Sequence, residues 1–253
     1  GVQAKEFILP KELLEQDCVI SLSKMKTHAL ERITGAVKNS YGFVYGFHKA
    51  KGHTQYPSAD SFARMLIDLN KCVAPKLYVM DGIVAMEGNG PGSGDPVPMN
   101  VLLMSTDPVA LDSVFSRLVY LKPEMVPTNY HGEKMGLGTW KEEEITLLIP
   151  DGEISMAEAV KKYGNPAFNV DRTEVRKNIW TRMAGALNIF QKKPYIEADK
   201  CVRCGICVQS CPVPGKAVDF RKGKGKPPVY DYRKCIRCFC CQEMCPKKAI
   251  KVK

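Results

Sequence analysis

Nine of the eleven cysteines in this 253-residue chain fall between positions 201 and 245, and eight of those keep one rhythm. It reads Cys201-x2-Cys204-x2-Cys207-x3-Cys211-Pro212, then Cys235-x2-Cys238-x2-Cys241-x3-Cys245-Pro246. The two copies superpose at an offset of 34 residues, and their flanks repeat too. Tyr195-Ile196-Glu197-Ala198-Asp199-Lys200 answers Val229-Tyr230-Asp231-Tyr232-Arg233-Lys234. A short apolar segment closes each copy, Ala217-Val218-Asp219-Phe220 and Ala249-Ile250-Lys251-Val252. The first copy carries two extra residues, in its Pro212-Val213-Pro214-Gly215 bend. With two residues between neighbours, three thiolates on one tight loop can curl around a single iron–sulfur cluster, and the fourth ligand must come from elsewhere.

Two other chemistries use dense cysteines. A zinc ribbon takes two Cys-x2-Cys pairs per site, not two runs of four with a trailing proline. A disulfide framework suits small secreted domains, whereas here the cysteines are appended to a larger, cysteine-poor body. The spacing instead resembles that of the bacterial-type ferredoxins, present twice. In two-cluster ferredoxins the fourth cysteine of each run crosses to the other site. The resemblance therefore implies one 4Fe–4S cluster on Cys201, Cys204, Cys207 and Cys245, and a second on Cys211, Cys235, Cys238 and Cys241. Cys240 is the spare of the second run. It is either a small buried hydrophobe or a hydrogen-bond partner of a cluster sulfur, and Ile206 at the matching position favours packing. Cys18 and Cys72 have no partner at ligand spacing and read as core residues.

Charge sets this region apart. Its last 53 residues hold 13 Lys and Arg against Asp219, Asp231 and Glu243, so the whole net charge of +10 lies there. Two oxidised clusters, at about −2 each by formal counting, would leave about +6. The remainder suits an acidic redox partner protein. The densest stretch, Arg221-Lys222-Gly223-Lys224-Gly225-Lys226, reads as a hairpin tip. No recognition helix or stacking platform accompanies it, which argues against nucleic acid. No stretch has the uninterrupted apolar length of a membrane span, and the start lacks a signal-peptide pattern.

The elements ahead of the cysteines alternate. A strand is expected at Cys18–Leu22, ending in the polar run Ser23-Lys24-Met25-Lys26-Thr27-His28, then a helix with Leu30, Ile33, Val37 and Tyr41 on one side. Ser58 opens a helix carrying Phe62, Leu66 and Leu69 and stopped by Pro75. Strands follow at Leu77–Met80, Val101–Met104 and Ile145–Ile149, with Asp107-Pro108 capping a helix that runs to about Tyr120. Residues 171–190, with Val175, Ile179, Met183, Leu187 and Phe190, read as a linking helix. The expected organisation is an α/β parallel-sheet domain over 1–170, a helical linker over 171–194, and a C-terminal α+β two-cluster ferredoxin-like domain over 195–253.

In parallel sheets, ligands bind beyond the carboxyl ends of the strands. Lys24, Lys26 and His28, then Asp81, then Asp107 fall at those expected ends. Lys24, Lys26 and Lys38 could hold a small anionic ligand, with His28 or Asp81 as acid or base. His28 as a local cap and solvated lysines explain the same residues equally well. The loop Gly88-Asn89-Gly90-Pro91-Gly92-Ser93-Gly94 lacks the Gly-Lys-Ser/Thr of a P-loop and the helix of a dinucleotide fingerprint. Gly88 and Gly90 are either an anion nest or a permissive turn. Asp81, Asp107 and Asp112 could bind a divalent cation or serve as general acid and base, with capping the cheaper explanation of Asp107.

Five motifs in order resemble the domain-of-unknown-function family 362: Ser23–His28, Lys38-Asn39-Ser40-Tyr41-Gly42, Asp81-Gly82-Ile83, Glu87-Gly88-Asn89-Gly90-Pro91 and Ser105–Asp112. The resemblance covers about residues 17–150 and implies a cytoplasmic iron–sulfur protein of anaerobic or facultative microbes, with no settled reaction. Members of that family usually carry more sequence ahead of the Lys-Met-Lys-Thr-His segment. The functional expectation is single-electron transfer between an external carrier and a substrate or partner at the α/β domain. The alternative is a non-catalytic ferredoxin-like subunit or maturation factor whose α/β domain binds a protein.

Overall fold

The computed structural model describes residues 1–45, 48–174 and 192–253. They divide into two compact units, Gly1–Asp171 and Arg172–Lys253. The expected linking helix lies largely outside the described residues.

In the first unit, β1 (Ile20–His28), β2 (Arg32–Thr34), β3 (Leu77–Glu87) and β4 (Asp95–Ser105) form one sheet in the order β2-β1-β3-β4. With the helices around it, this is an α/β unit. The sheet is mixed: β1 and β3 are parallel, whereas β2 on β1 and β4 on β3 are antiparallel. Loop length explains the difference. A parallel return needs a dozen or more residues, so the short connections 29–31 and 88–94 can only make hairpins. The long connection from β2 to β3 carries helices and permits the parallel pair.

Strand β1 continues through the polar run, which was expected to lie beyond its end. Ser21, Ser23, Met25 and Thr27 are buried, and the alternate residues Ile20, Leu22, Lys24 and Lys26 are not. Small polar residues thus take the inner face, a strand period hidden by reversed polarity. The opposite face carries Ile20, Leu22, Leu102 and Met104, each more than half exposed. The helix expected from Leu30 is mostly absent. Arg32 adopts a left-handed φ of 66°, β2 follows, and helix appears only at Ala36–Asn39 with a 3-10 turn at Ser40–Phe43.

The other helices of this unit are α1 (Lys11–Leu14), α2 (the Ala36–Asn39 turn), α3 (His48–Gln55), α4 (Ala59–Val73), α5 (Pro108–Leu118), α6 (Pro127–Lys134) and α7 (Met156–Tyr163). Helix α4 begins in a capping box, Ser58 with Ser61, and ends where Ala74 turns left-handed ahead of Pro75. Its Phe62, Leu66 and Leu69 are fully buried against Val37 and Val109. Each such burial stabilises the fold by about 1.5–3 kcal/mol. Helix α5 starts at Pro108, with Asp107 accepting from the N–H groups of Val109 and Ala110. Its Phe115 packs with Met25, Met80 and Phe168 in a second core. The strand expected at Ile145–Ile149 is shorter: β5 (Leu147–Ile149) pairs only with β6 (Gly152–Ile154), apart from the main sheet.

In the second unit, β7 (Pro194–Ile196) pairs with β10 (Ile250–Val252), and β8 (Val218–Asp219) with β9 (Val229–Tyr230). One helical turn follows in each half, Ile206–Gln209 and Cys240–Glu243. The backbone repeats with the sequence. Arg203 and Arg237, Gly205 and Phe239, and Lys216 and Lys248 all have positive φ at matching places.

Cys18 and Cys72 are exposed, not core residues. Cys18 precedes the sheet, and Cys72 lies in the last turn of α4 between exposed Lys71 and half-buried Val73.

Candidate iron–sulfur and anion sites

The paired left-handed residues curl each cysteine run back on itself, and the short turns that follow carry Cys207 and Cys241 inward. Two cavities result. One is lined by Cys201, Cys204, Cys207 and Cys245, with Ile196, Arg203 and Lys247 beside them. The other is lined by Cys211, Cys235, Cys238 and Cys241, with Val213, Tyr230 and Phe239. Each takes three thiols from one run and the fourth from the other. Four soft sulfur donors in a largely apolar wall suit a 4Fe–4S cluster.

Backbone amides are aimed at sulfur in both halves. The Ala217 N–H donates to Cys211 Sγ and the Ala249 N–H to Cys245 Sγ, each at 3.3 Å. The Tyr230 hydroxyl also donates to Cys241 Sγ at 3.1 Å, from a position where the other half has Ile196. Burial, then the neighbouring Cys201, pushes the Cys207 thiol up to about 11. Burial likewise raises Cys241 and Cys235. Cys238 moves down because Cys240 hydrogen-bonds to it. Metal binding here must therefore displace protons from buried thiols. Cys240 is buried, and it also stands beside a ligand-set sulfur.

Of the candidate residues of the first unit, Lys24, Lys26 and Asp81 lie mid-strand, His28 ends β1, Lys38 lies on α2, and Gly88 and Gly90 lie in the β3–β4 loop. Lys24 on β1 sits opposite Asp81 on β3. Its Nζ is 2.5 Å from Asp81 Oδ2 and donates to the Val84 carbonyl at 3.0 Å. Asp81 Oδ1 accepts the Ile83 N–H at 2.9 Å, across a bulge between Gly82 and Val84. The Lys24 hydrogen bond is the main cause that holds the Asp81 carboxyl below its usual range. Burial, then Lys24 and Lys38, lowers Lys26, so the three lysines share one neighbourhood.

His28 is buried, and its Nδ1 accepts the N–H groups of Leu30 and Glu31 at 3.2 and 3.1 Å, tying the β1–β2 turn. The loop glycines are also engaged. The Gly88 N–H donates to the Asn169 carbonyl at 2.8 Å, and the Gly90 N–H to Thr27 Oγ1 at 3.2 Å. A Cβ on Gly90 would stand 2.3 Å from the Thr27 carbonyl oxygen, so glycine is required for this close approach. Asp107 caps α5 and also accepts the Thr139 N–H. Asp112 is buried and accepts the Ala36 and Val37 N–H groups at 2.6 and 3.1 Å.

Sequence reasoning missed two groups. Tyr230 was visible only as an aromatic where the other repeat has isoleucine. Glu31 is fully buried, neither carboxyl oxygen has a hydrogen-bond partner among the described residues, and burial raises its carboxyl far above the usual range. Nothing in its local pattern marked it as internal.

The comparisons with known proteins follow this division. Residues 193–246 match the family described as 4Fe-4S dicluster domain, and residues 1–117 match Domain of unknown function (DUF362). A segment that matches DUF362 thus precedes one that matches a 4Fe-4S dicluster domain. It is also 42% identical over 130 residues to the "Thylakoid-associated protein sll1697" of Synechocystis sp. (strain ATCC 27184 / PCC 6803 / Kazusa), a match covering 51% of this chain and 40% of that protein. No solved structure matches the chain. No helix among the described residues is long and apolar enough to cross a membrane.

Proposed function

We propose that the protein holds two 4Fe–4S clusters and transfers single electrons between an external carrier and a substrate or partner at the α/β unit. The observation that carries this reading is the pair of separate cavities, each walled by four thiols drawn from both runs. A bound 4Fe–4S cluster supplies reversible one-electron storage. The chain supplies the sulfur donors, the amides of Ala217 and Ala249 that hydrogen-bond them, and a basic surface that attracts an acidic carrier.

Lys24, Lys26 and Lys38 form the part of the first unit suited to a small anion. A second reading, in which this unit recognises a protein and does no chemistry, draws support from His28, Gly88 and Gly90, whose hydrogen-bonding groups are already used by the fold.

Anaerobic reconstitution with iron and sulfide counting, then electron paramagnetic resonance before and after dithionite, tests the proposal. Two interacting one-electron centres are expected. Zinc or disulfides at these thiols in anaerobically prepared protein would overturn it.

A further inference from the structure

We infer that Tyr230 tunes one cluster: its hydroxyl, bonded to Cys241 Sγ, raises the reduction potential of the cluster held by Cys211, Cys235, Cys238 and Cys241 and leaves the other unaffected. This rests on the two-cluster reading above.

The two halves provide an internal control. They repeat in cysteine spacing, in left-handed backbone positions and in amide-to-sulfur bonds. What differs is the side chains facing the thiols. At the offset of 34 residues Tyr230 corresponds to Ile196, and Tyr232 to Ala198. The aromatic pair is therefore confined to one half, and it is built to aim. The Tyr230 and Tyr232 rings stack at 5.6 Å with an interplanar angle of 13°. The Tyr232 hydroxyl in turn donates to the Pro194 carbonyl at 2.9 Å. That anchor holds the Tyr230 ring with its O–H on the sulfur.

The physical effect has a definite sign. Reduction adds one negative charge, shared by irons and sulfurs, and a donor aimed at a ligand sulfur stabilises the more negative state. Burial acts in the opposite direction, because a poorly solvated site resists added charge. Cys211, Cys238 and Cys241 are buried, whereas Cys204 of the other set is exposed. Tyr230 thus offsets the burial of the inner cluster and keeps it able to accept electrons from its more exposed twin. In that exchange one cluster loses one electron, the other gains it, and the hydroxyl keeps its proton. Cys240, which faces Cys238 where the first half has Ile206, is a second asymmetry. The test must therefore remove the Tyr230 oxygen alone.

The experiment is a potentiometric titration, followed by electron paramagnetic resonance, of wild type and Y230F reconstituted anaerobically as full chains. Iron and sulfide contents should match. One of the two potentials should fall by about 59 mV, which is a tenfold change in a one-electron constant, while the other stays in place. Y232F, which removes the anchoring hydroxyl but keeps the Tyr230 oxygen, should lower the same potential by less than Y230F does and leave the other in place. A fully loaded Y230F in which neither potential moves, or both move together, overturns the inference. If Y230F fails to hold iron, a fluorotyrosine placed at position 230 serves instead. Its more acidic hydroxyl donates more strongly and should raise the same potential, and no movement overturns the assignment. A wild-type chain that loads fewer than two clusters refutes the underlying two-cluster reading, and the inference with it, and the iron count of the wild type identifies that failure.

Discussion

Replacing Cys245 with alanine gives the sharpest test of how the thiols are grouped. Cys245 lines the cavity of Cys201, Cys204 and Cys207, although it lies in the other run. Each 4Fe–4S cluster carries four irons, so C245A should lower the content from about eight to about four per chain. That value alone does not say which cluster was lost, because ligation within each run predicts the same total. Pairs of substitutions separate the two schemes by additivity. In the crossed arrangement C245A and C207A damage one cavity twice, and about four irons remain. C245A with C241A damages both cavities, and almost no iron remains. Ligation within each run predicts the reverse order. Colorimetric iron and sulfide assays on anaerobically reconstituted, desalted protein read this difference directly. Retention of four irons by C245A/C241A, with loss of nearly all by C245A/C207A, would refute the crossed grouping.

Other expectations concern the first unit and the basic surface. Asp112→Ala leaves the buried amides of Ala36 and Val37 without their acceptor and should destabilise the unit by about 2–5 kcal/mol in urea titrations, whereas Asp112→Asn, which keeps one oxygen, should cost less than about 2 kcal/mol. A loss below about 1 kcal/mol for the alanine variant would contradict the capping role. Burial raises the Asp112 carboxyl to about 7 against the pull of those two amides, above its unfolded value near ~4. The folded chain therefore holds the extra proton, and the associated stability is complete below about pH 4 and lost as pH rises through about 7, up to about 4 kcal/mol in all. The D112N variant should flatten that slope, and an unchanged slope would assign it to other groups. The Lys24–Asp81 pair is about 40% exposed on each side, so K24A should change stability by less than about 1 kcal/mol. It should nevertheless weaken phosphate binding measured by calorimetry, and equal binding by wild type and K24A/K26A would remove the anion site. Reduction by an acidic one-electron carrier should slow as salt rises from about 50 to 200 mM, because screening shortens the reach of the basic surface. A salt-independent stopped-flow rate would argue against electrostatic docking.

Legibility in the sequence followed the strength of local constraint. The cysteine runs were readable because ligand spacing is a geometric demand with few alternatives. Helices α4 and α5 were readable because Ser58 and Asp107-Pro108 are strong start signals and the apolar residues behind them keep helical spacing. Strand β1 was misjudged because Ser21, Ser23 and Thr27 are buried while Ile20 and Leu22 face outward, the reverse of the usual pattern. Leu30, Ile33, Val37 and Tyr41 imitate one helical face, yet Arg32 reverses the chain among them. The mixed sheet depended on loop geometry that residue types alone do not specify. The placement of Lys24, Asp81 and His28 inherited that error: residues expected in loops beyond strand ends lie on the strands, Lys24 and Asp81 tied to each other across the sheet and His28 to the turn that follows it.

The matched left-handed residues of the cysteine unit have a consequence for how this protein would age. Arg203, Arg237, Phe239, Lys216 and Lys248 hold a backbone shape that side chains disfavour, and such shapes persist only where surrounding bonds over-determine them. Iron–sulfur bonds would supply that restraint, so iron loading is expected to stabilise this part of the fold. A chain made during iron starvation should relax at these five positions and present basic, flexible loops to trypsin-like proteases. Its half-life in the cell would then fall together with iron supply.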